Sequence, residues 1–163
     1  MVVLKNILVA TDFSEPSAVA LAYGRDLARS YGAKLHVLHV VEDVMMRYSP
    51  EVVVGSPVLQ KDLESAARRD LEALITDDDR RTLAITPIVQ TSRSAAGGIV
   101  EYAREQAVDL IVAGTHGRSA MKQFLMGSVA ERLVRTAPCP VLTVRTHERD
   151  FLAPDALVAS TKA

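Results

Sequence analysis

The 163-residue sequence has little of what would place it in several large classes of protein. Its single cysteine, Cys139, excludes an internal disulfide and a zinc site built from cysteines. The net charge is −1, without a long run of either sign, so the composition does not favour nucleic-acid binding. No apolar run approaches the roughly 18 residues of a membrane-spanning helix, and the N-terminal apolar stretch is too short for a signal peptide. We therefore expect a reduced, cytoplasmic protein that contacts no membrane.

Short apolar runs rich in β-branched residues alternate with segments of helical periodicity along the chain. Such runs, without polar alternation, are typical of strands buried on both faces of a parallel sheet. Five of them predict strands at residues 6–11, 34–41, 83–90, 109–114 and 140–145. Because right-handed crossovers place helices on both faces of such a sheet, the sequence predicts an α/β, Rossmann-like fold with an open, parallel, five-stranded sheet.

Capping residues mark where the predicted helices begin and end. Ser14, with Pro16 in the first turn, predicts the start of the first helix, and Gly32 predicts its end. Ser94 is a candidate N-cap for a helix after the third strand. Amphipathic periodicity predicts two more helices, at residues 58–77 and 129–136.

The rest of the chain predicts one domain, residues 1–146, followed by a C-terminal tail, residues 147–163, of mixed polarity. Residues 42–57 lack clear periodicity and predict a long loop. Pro87 indicates that the third strand lies at a sheet edge, since proline cannot donate to a central ladder.

Gly114 ends the predicted fourth strand, and two more glycines follow it. They are Gly117 and Gly127, the latter beside Ser128 at the start of a predicted helix. In open α/β sheets, ligands bind beyond the carboxyl ends of the strands where the strand order reverses. Glycine lets the backbone approach an anion closely, and a helix N-terminus donates N–H groups to phosphate. Other side chains of the loop also suit a polyphosphate: Thr115, Arg118, Ser119 and Lys122. The plainer alternative is that the glycines only shape a long connection.

Two common phosphate-binding motifs are missing from the sequence. G-x-x-x-x-G-K-[ST] occurs nowhere, and G-x-G-x-x-G does not follow the first strand. This argues against a P-loop enzyme and a nicotinamide dehydrogenase.

The glycine pattern Gly114-x2-Gly117-x9-Gly127-Ser128 resembles the nucleotide-binding signature of the universal stress protein family, G-2x-G-9x-G-[ST]. The segments ILVATDFSEPS, DLIVAGTHGRS and APCPVLTVR resemble that family's first, fourth and closing strands, in the same order. In the family, this signature separates a nucleotide-binding branch from one that does not bind ATP. The resemblance implies a sheet of the adenine nucleotide alpha hydrolase type and a ligand of ATP with Mg²⁺.

The resemblance also implies which residues contact the nucleotide. The adenine and ribose side would be formed by Ala10, Thr11 and Asp12, with the Val40 backbone at the adenine edge. The ribose and phosphates would be wrapped by Gly114, Thr115, His116, Gly117, Arg118 and Ser119. The terminal phosphates would be held by backbone N–H groups of Gly127, Ser128 and Val129. The closing strand, between Pro140 and Arg145, would pair with its symmetry mate in a homodimer.

Two features depart from the family's usual pattern. Arg93 stands where many members have a glycine, and Gly97 with Gly98 weakens the first turn of the following helix. Both lie near the expected ribose edge, so they bear on which nucleotide is preferred. Asp12 could bind ribose or Mg²⁺, or simply cap a turn.

The remaining candidates favour structural roles. His36 and His39 are three apart in a predicted strand, so they point to opposite faces and cannot chelate one metal. Cys139 is expected to pack as a small hydrophobic residue. A hydrophobic wall of the site or of an interface is expected from Met121, Phe124, Leu125 and Met126.

No residues in the sequence suggest a nucleophile with a base and an orienting partner. Three functions stay open: an ATP-binding regulatory or stress-response protein with slow or no hydrolysis, a weak ATP hydrolase, and a dimeric interaction module. The module would hold AMP, cyclic AMP or no nucleotide.

Overall fold

The computed structural model describes residues 1–43, 56–115 and 126–146. In chain order the elements are β1 (Asn6–Ala10), α1 (Glu15–Tyr31), β2 (Lys34–Glu42), α2 (Ser56–Leu74), α3 (Asp77–Thr82), β3 (Ile85–Ser92), α4 (Ala95–Glu105), β4 (Leu110–Gly114), α5 (Ser128–Thr136) and β5 (Val141–Val144). The strands form one parallel sheet in the order β3-β2-β1-β4-β5. The predicted α/β fold is confirmed.

The sheet is buried on both faces because its side chains alternate between two apolar layers. Ile7 and Val9 of β1 pack with α1 and α2 on one face. Leu8 and Ala10 pack with α4 and α5 on the other. Strands β1 and β4, at the centre of the sheet, are therefore apolar on both faces, which explains why the sequence shows runs rather than alternation.

The predicted ends of the first helix agree with the structure, although one cap differs. Gly32 adopts the left-handed conformation, with φ of 62°, at the C-cap of α1. Ser14 occupies the N-cap position, but its side chain makes no capping hydrogen bond and donates to Asp12 instead. Ser94 caps α4 by accepting from the Gly97 N–H at 3.2 Å.

The region between β2 and β3 differs from the expectation of one helix over residues 58–77. The structure divides it into α2 and the short helix α3. A capping box starts α3: the Thr76 hydroxyl accepts from the Asp79 N–H at 3.1 Å, and the Asp79 carboxylate accepts from the Thr76 N–H at 3.0 Å. Residues 44–55 of the predicted loop lie outside the described residues.

The third strand lies at an edge of the sheet, as Pro87 predicts. β3 is an edge strand paired only with β2, and Pro87 lies opposite Val37 in that pairing. Of the helices described, none is long and apolar enough to cross a membrane.

Candidate functional site

The order of the strands reverses between β1 and β4, so a crevice opens beyond their carboxyl ends. These strands are neighbours in the sheet, with Ala10 opposite Ala113. From β1 the chain continues into α1 on one face, whereas α5, which follows β4, lies on the other face. Such a reversal is where open α/β sheets bind ligands.

The turn from β1 into α1 is fixed by hydroxyl and carboxylate hydrogen bonds. The Ser17 hydroxyl donates to the Ser14 carbonyl at 2.8 Å, so the Thr11 hydroxyl is the donor in its 3.1 Å contact with Ser17. The Thr11 hydroxyl oxygen in turn accepts from the Phe13 N–H at 3.1 Å. Asp12 accepts from the Ser14 N–H at 3.1 Å and from the Ser14 hydroxyl. The turn itself thus fixes the orientation of the Asp12 carboxylate.

Phe13 and His39 pack against each other beside this turn. Phe13 has φ of 64°, a conformation that bulky residues rarely adopt and that costs about 1–3 kcal/mol. Its ring packs on the His39 ring, with centroids 4.4 Å apart. His39 Nδ1 donates to the Thr11 carbonyl at 2.8 Å, which fixes the proton on that nitrogen. Asp12 and Phe13 form the turn that the sequence predicts after β1, but no local pattern marks the positive φ of Phe13 or its contact with His39.

Gly114 is required by packing within the protein. A Cβ at this position would lie 2.8 Å from Pro16 Cβ and 2.9 Å from the Pro16 carbonyl carbon. The start of α1 therefore occupies the space that the glycine leaves. This supports the plainer interpretation of Gly114, and its backbone still ends β4 at the crevice.

The start of α5 is tied directly to the end of β4. Thr115 is buried, its N–H donates to the Val144 carbonyl at 2.8 Å, and its carbonyl accepts from the Gly127 N–H at 2.7 Å. Gly127 is the N-cap of α5, and Ser128 and Val129 of the first turn are exposed. First-turn N–H groups have no partner within their own helix, so this end of α5 suits an anion.

Val40 presents backbone groups to the same crevice. Along β2 the even-numbered residues bond toward β1, since the Leu38 carbonyl accepts from the Thr11 N–H at 2.9 Å. Odd-numbered residues bond toward β3, as the Leu35 N–H does to the Ala84 carbonyl at 2.9 Å. The strand β1 ends opposite Leu38, so the Val40 N–H and C=O point past its end. The Val40 backbone thus offers one hydrogen-bond donor, its N–H, beside one acceptor, its C=O.

The predicted site residues fall into two groups. Those described in the structure lie at the carboxyl ends of β1, β2 and β4 or at the start of α5: Ala10, Thr11, Asp12, Val40, Gly114, Thr115, Gly127, Ser128 and Val129. His116, Gly117, Arg118 and Ser119 lie outside the described residues, as do Met121, Phe124 and Leu125. Met126 is exposed just before α5.

A magnesium ion fits the donor set at this edge. Mg²⁺ is commonly held by one or two carboxylates together with substrate phosphates and water. Asp12 supplies one carboxylate just after the end of β1, the strand that neighbours β4. No group of three or more metal-ligating side chains occurs among the residues described, so water and phosphate oxygens would have to supply the remaining ligands.

The two strand histidines lie on opposite faces, as predicted. His36 Nδ1 lies 2.8 Å from the Tyr102 hydroxyl of α4, whereas His39 packs on Phe13. Burial, followed by the charge of Lys34, lowers the pKa of His36. Burial raises the pKa of the Cys139 thiol, which packs against the layer on the α4 side and behaves as a small apolar group.

A doubly wound parallel sheet, with a helix N-terminus and an aspartate-bearing turn at its point of reversal, defines an open α/β domain of the Rossmann-like type. The family profile of the universal stress proteins matches residues 4–145, and the chain belongs to the universal stress protein family. The universal stress protein YxiE of Bacillus subtilis is 29% identical over 158 residues, covering 86% of this chain and 98% of the relative.

Solved structures of the family have the same fold. Universal stress protein UspA from Lactobacillus plantarum matches with a TM-score of 0.77 and 26% identity, over 89% of this chain and 100% of that one. A universal stress protein from Archaeoglobus fulgidus, solved in complex with dAMP, matches with a TM-score of 0.60 and 20% identity. That likeness covers 88% of this chain and 99% of the Archaeoglobus protein, and it shows the fold.

Proposed function

We propose that this protein binds ATP with Mg²⁺ in the crevice between β1 and β4 and acts as a regulatory, stress-response nucleotide sensor with slow or no hydrolysis. The observation that carries the proposal is the hydrogen bond from the Gly127 N–H to the Thr115 carbonyl. It fixes the donor end of α5 at the point where the strand order reverses.

The arrangement favours a nucleotide over a simple anion. The Val40 N–H and C=O pair matches adenine, whose amino group lies beside an acceptor nitrogen. Asp12, oriented by Ser14, is suited to ribose hydroxyls or to Mg²⁺. The Archaeoglobus protein that binds dAMP shares this fold, so an adenine mononucleotide is compatible with it.

In this arrangement the residues would bind and orient the nucleotide. The first-turn N–H groups of α5 would hold phosphate oxygens, and the Val40 backbone would hold the base. A weak hydrolase is the alternative, and it requires a group that activates water. Steady-state phosphate release separates the two: turnover that depends on protein concentration would favour the hydrolase.

Ligand-dependent stabilisation tests binding itself. At a hundredfold excess over Kd a ligand stabilises the folded state by about 2.7 kcal/mol. Saturating Mg-ATP should therefore raise the melting temperature, and ADP, AMP and cyclic AMP should raise it less because they lack the terminal phosphate. An unchanged melting temperature with every nucleotide would contradict the proposal. A larger shift with AMP or cyclic AMP would favour the interaction module.

Ser128→Asp separates nucleotide binding from folding. A carboxylate in the first turn of α5 interacts favourably with the helix dipole, by about 0.3–1 kcal/mol, so the variant should melt no lower than wild type. The same charge would repel phosphate and weaken ATP binding by about tenfold or more. Calorimetric titration and a thermal melt measure the two effects.

The matched control is Ser65→Asp, the same substitution on the exposed surface of α2. It changes net charge equally and should leave ATP affinity unchanged. Equal losses in both variants would mean that net charge alone is responsible, and the assignment of α5 would be wrong.

A further inference from the structure

The first turn of α4 lies directly on the ends of β2 and β3, and Gly98 makes this contact. Gly98 is buried, and a Cβ there would lie 2.9 Å from Ser92 Cβ and 3.0 and 3.1 Å from the two methyl carbons of Val40. Carbon atoms in proteins do not approach so closely without displacement. The absence of a side chain at 98 is therefore what allows α4 to rest on Val40.

The contact cannot be relieved by rotating a side chain. Ser92 Cβ is fixed to the backbone of β3, and that backbone is bonded to the end of β2, since the Ser92 carbonyl accepts from the Asp43 N–H at 2.9 Å. Val40 is β-branched and buried, so its methyl groups have little freedom. A side chain at 98 would have to push the ends of β2 and β3 away from α4.

This displacement would act on the backbone that faces the crevice. The Val40 N–H and C=O point past the end of β1, where the proposed nucleotide's base would lie. Hydrogen bonds depend steeply on distance and angle, so a shift of a few tenths of an ångström would affect both.

We propose that Gly98 is the positioning residue for base recognition: by letting α4 rest on Val40, it sets the donor–acceptor pair that distinguishes adenine from other bases. The inference rests on the proposed function. It accounts for a glycine in a helix interior, a position where glycine costs about 1 kcal/mol relative to alanine.

The neighbouring Gly97 provides a matched control. It lies in the same turn of the same helix, but a Cβ there would meet only the Ser94 hydroxyl oxygen, at 2.8 Å. Gly97→Ala and Gly98→Ala bring the same gain in helix propensity, and only the second touches Val40.

The experiment measures ATP and GTP affinities by calorimetric titration for wild type, Gly97→Ala and Gly98→Ala, with circular dichroism melts for each. Two weakened neutral hydrogen bonds would lower ATP affinity by about tenfold in Gly98→Ala. The ratio of ATP to GTP affinity should fall with it, since guanine has a carbonyl acceptor where adenine has its amino donor and so gains less from the Val40 N–H and C=O. Gly97→Ala should keep the ATP-to-GTP ratio of wild type, because its Cβ does not touch Val40.

Adding Val40→Ala to Gly98→Ala removes the methyl groups beneath the new Cβ. The double variant should bind ATP more tightly than the product of the two single losses predicts. It also serves if Gly98→Ala does not fold: a folded double variant whose ATP-to-GTP ratio exceeds that of Val40→Ala alone would support the inference, because the new Cβ then fills the space of the lost methyl groups.

Four results would overturn the inference. The first two concern a folded Gly98→Ala: wild-type ATP affinity, or a loss of affinity that is equal for ATP and GTP. The third is an equal fall of the ATP-to-GTP ratio in Gly97→Ala. The fourth is failure of both the single and the double Gly98→Ala variants to fold. If wild type binds no nucleotide, the proposed function fails and this inference fails with it, a result that is recognisable before any variant is made.

Discussion

His36 is buried between the sheet and α4, where its ring contacts Tyr102. Nδ1 contacts the Tyr102 hydroxyl at 2.8 Å, and Nε2 is buried without a hydrogen-bond partner among the described residues. The two rings meet edge to face, with centroids 5.8 Å apart. A charged imidazolium would leave a buried N–H without an acceptor, and such groups are costly. The neutral form is therefore favoured in the folded state.

The unfolding free energy should depend on pH through His36. Burial lowers its pKa in the folded state, so the unfolded chain binds the proton more readily. This contribution is fully present above the unfolded-state pKa of about 6.5 and is lost as pH falls toward the folded pKa. Melting temperatures between about pH 5 and pH 8 should fall more steeply on the acid side for wild type than for His36→Phe/Tyr102→Phe.

The double variant is used because removing both partners leaves no buried polar group unsatisfied. Tyr102→Phe alone keeps His36 and should keep the acid dependence, which makes it the control. Identical slopes in wild type and the double variant would show that other groups set the pH dependence.

At the scale of elements, α1 and α3 are joined by a buried ion pair. Arg25 donates to both carboxylate oxygens of Asp79, at 2.9 and 2.7 Å, and also to the Leu74 carbonyl at 2.7 Å. The Asp79 side chain is 2% exposed. Burial by itself would raise the pKa of Asp79, but the hydrogen bonds from Arg25 and Thr76 hold it below its ordinary value. One carboxylate thus starts α3 and holds it on α1.

Asp79→Ala should lower the unfolding free energy by about 3 kcal/mol or more, because it leaves Arg25 without its charge partner. Asp78→Ala is the matched control: it also removes an acidic residue from the first turn of α3, but its pairs with Arg29 and Arg81 are exposed. That change should cost less than about 1 kcal/mol. Urea unfolding of both variants measures the difference, and similar losses would contradict the assignment.

At the scale of the whole molecule, β5 is the last strand of the sheet, and among the described residues it pairs only with β4. Its even-numbered residues bond toward β4, since the Val144 carbonyl accepts from the Thr115 N–H and the Pro140 carbonyl from the Ile111 N–H. The backbone of Val141 and Thr143 therefore points outward. An edge of this kind is suited to pairing with a second copy, and we propose a two-fold homodimer through β5.

Thr143→Pro tests the homodimer without disturbing the chain's own sheet. It removes an outward N–H and no hydrogen bond to β4, and proline is tolerated at such edge positions. Sedimentation at micromolar concentration should show a dimer for wild type and a monomer for Thr143→Pro. Thr143→Val keeps the N–H and should remain a dimer. A monomeric wild type, or a dimeric proline variant, would contradict the proposal. Val144 is unsuitable for this test because its side chain is in the core.

Local signals account for the parts of the fold that were predictable. The apolar run 6–11 and the Gly32 stop depend on the residues themselves and their immediate neighbours, and both agree with the structure. The helix α3 was not predicted: the Thr76–Asp79 capping box that starts it is local, but what separates α3 from α2 and holds it in place is the contact of Asp79 with Arg25, which lies on another element. Pairing at such sequence separations leaves no periodic pattern.

The sequence by itself determined the alternation of strands and helices, the edge position of Pro87 and the end of the sheet where a ligand is expected, since propensity and burial pattern act locally. Only the tertiary structure decided what Gly98 and Gly114 do. Gly114 makes room for Pro16 and Gly98 makes room for Val40, both far away in the chain. The space around a missing Cβ belongs to whichever elements pack there, and that is fixed only when the layers come together.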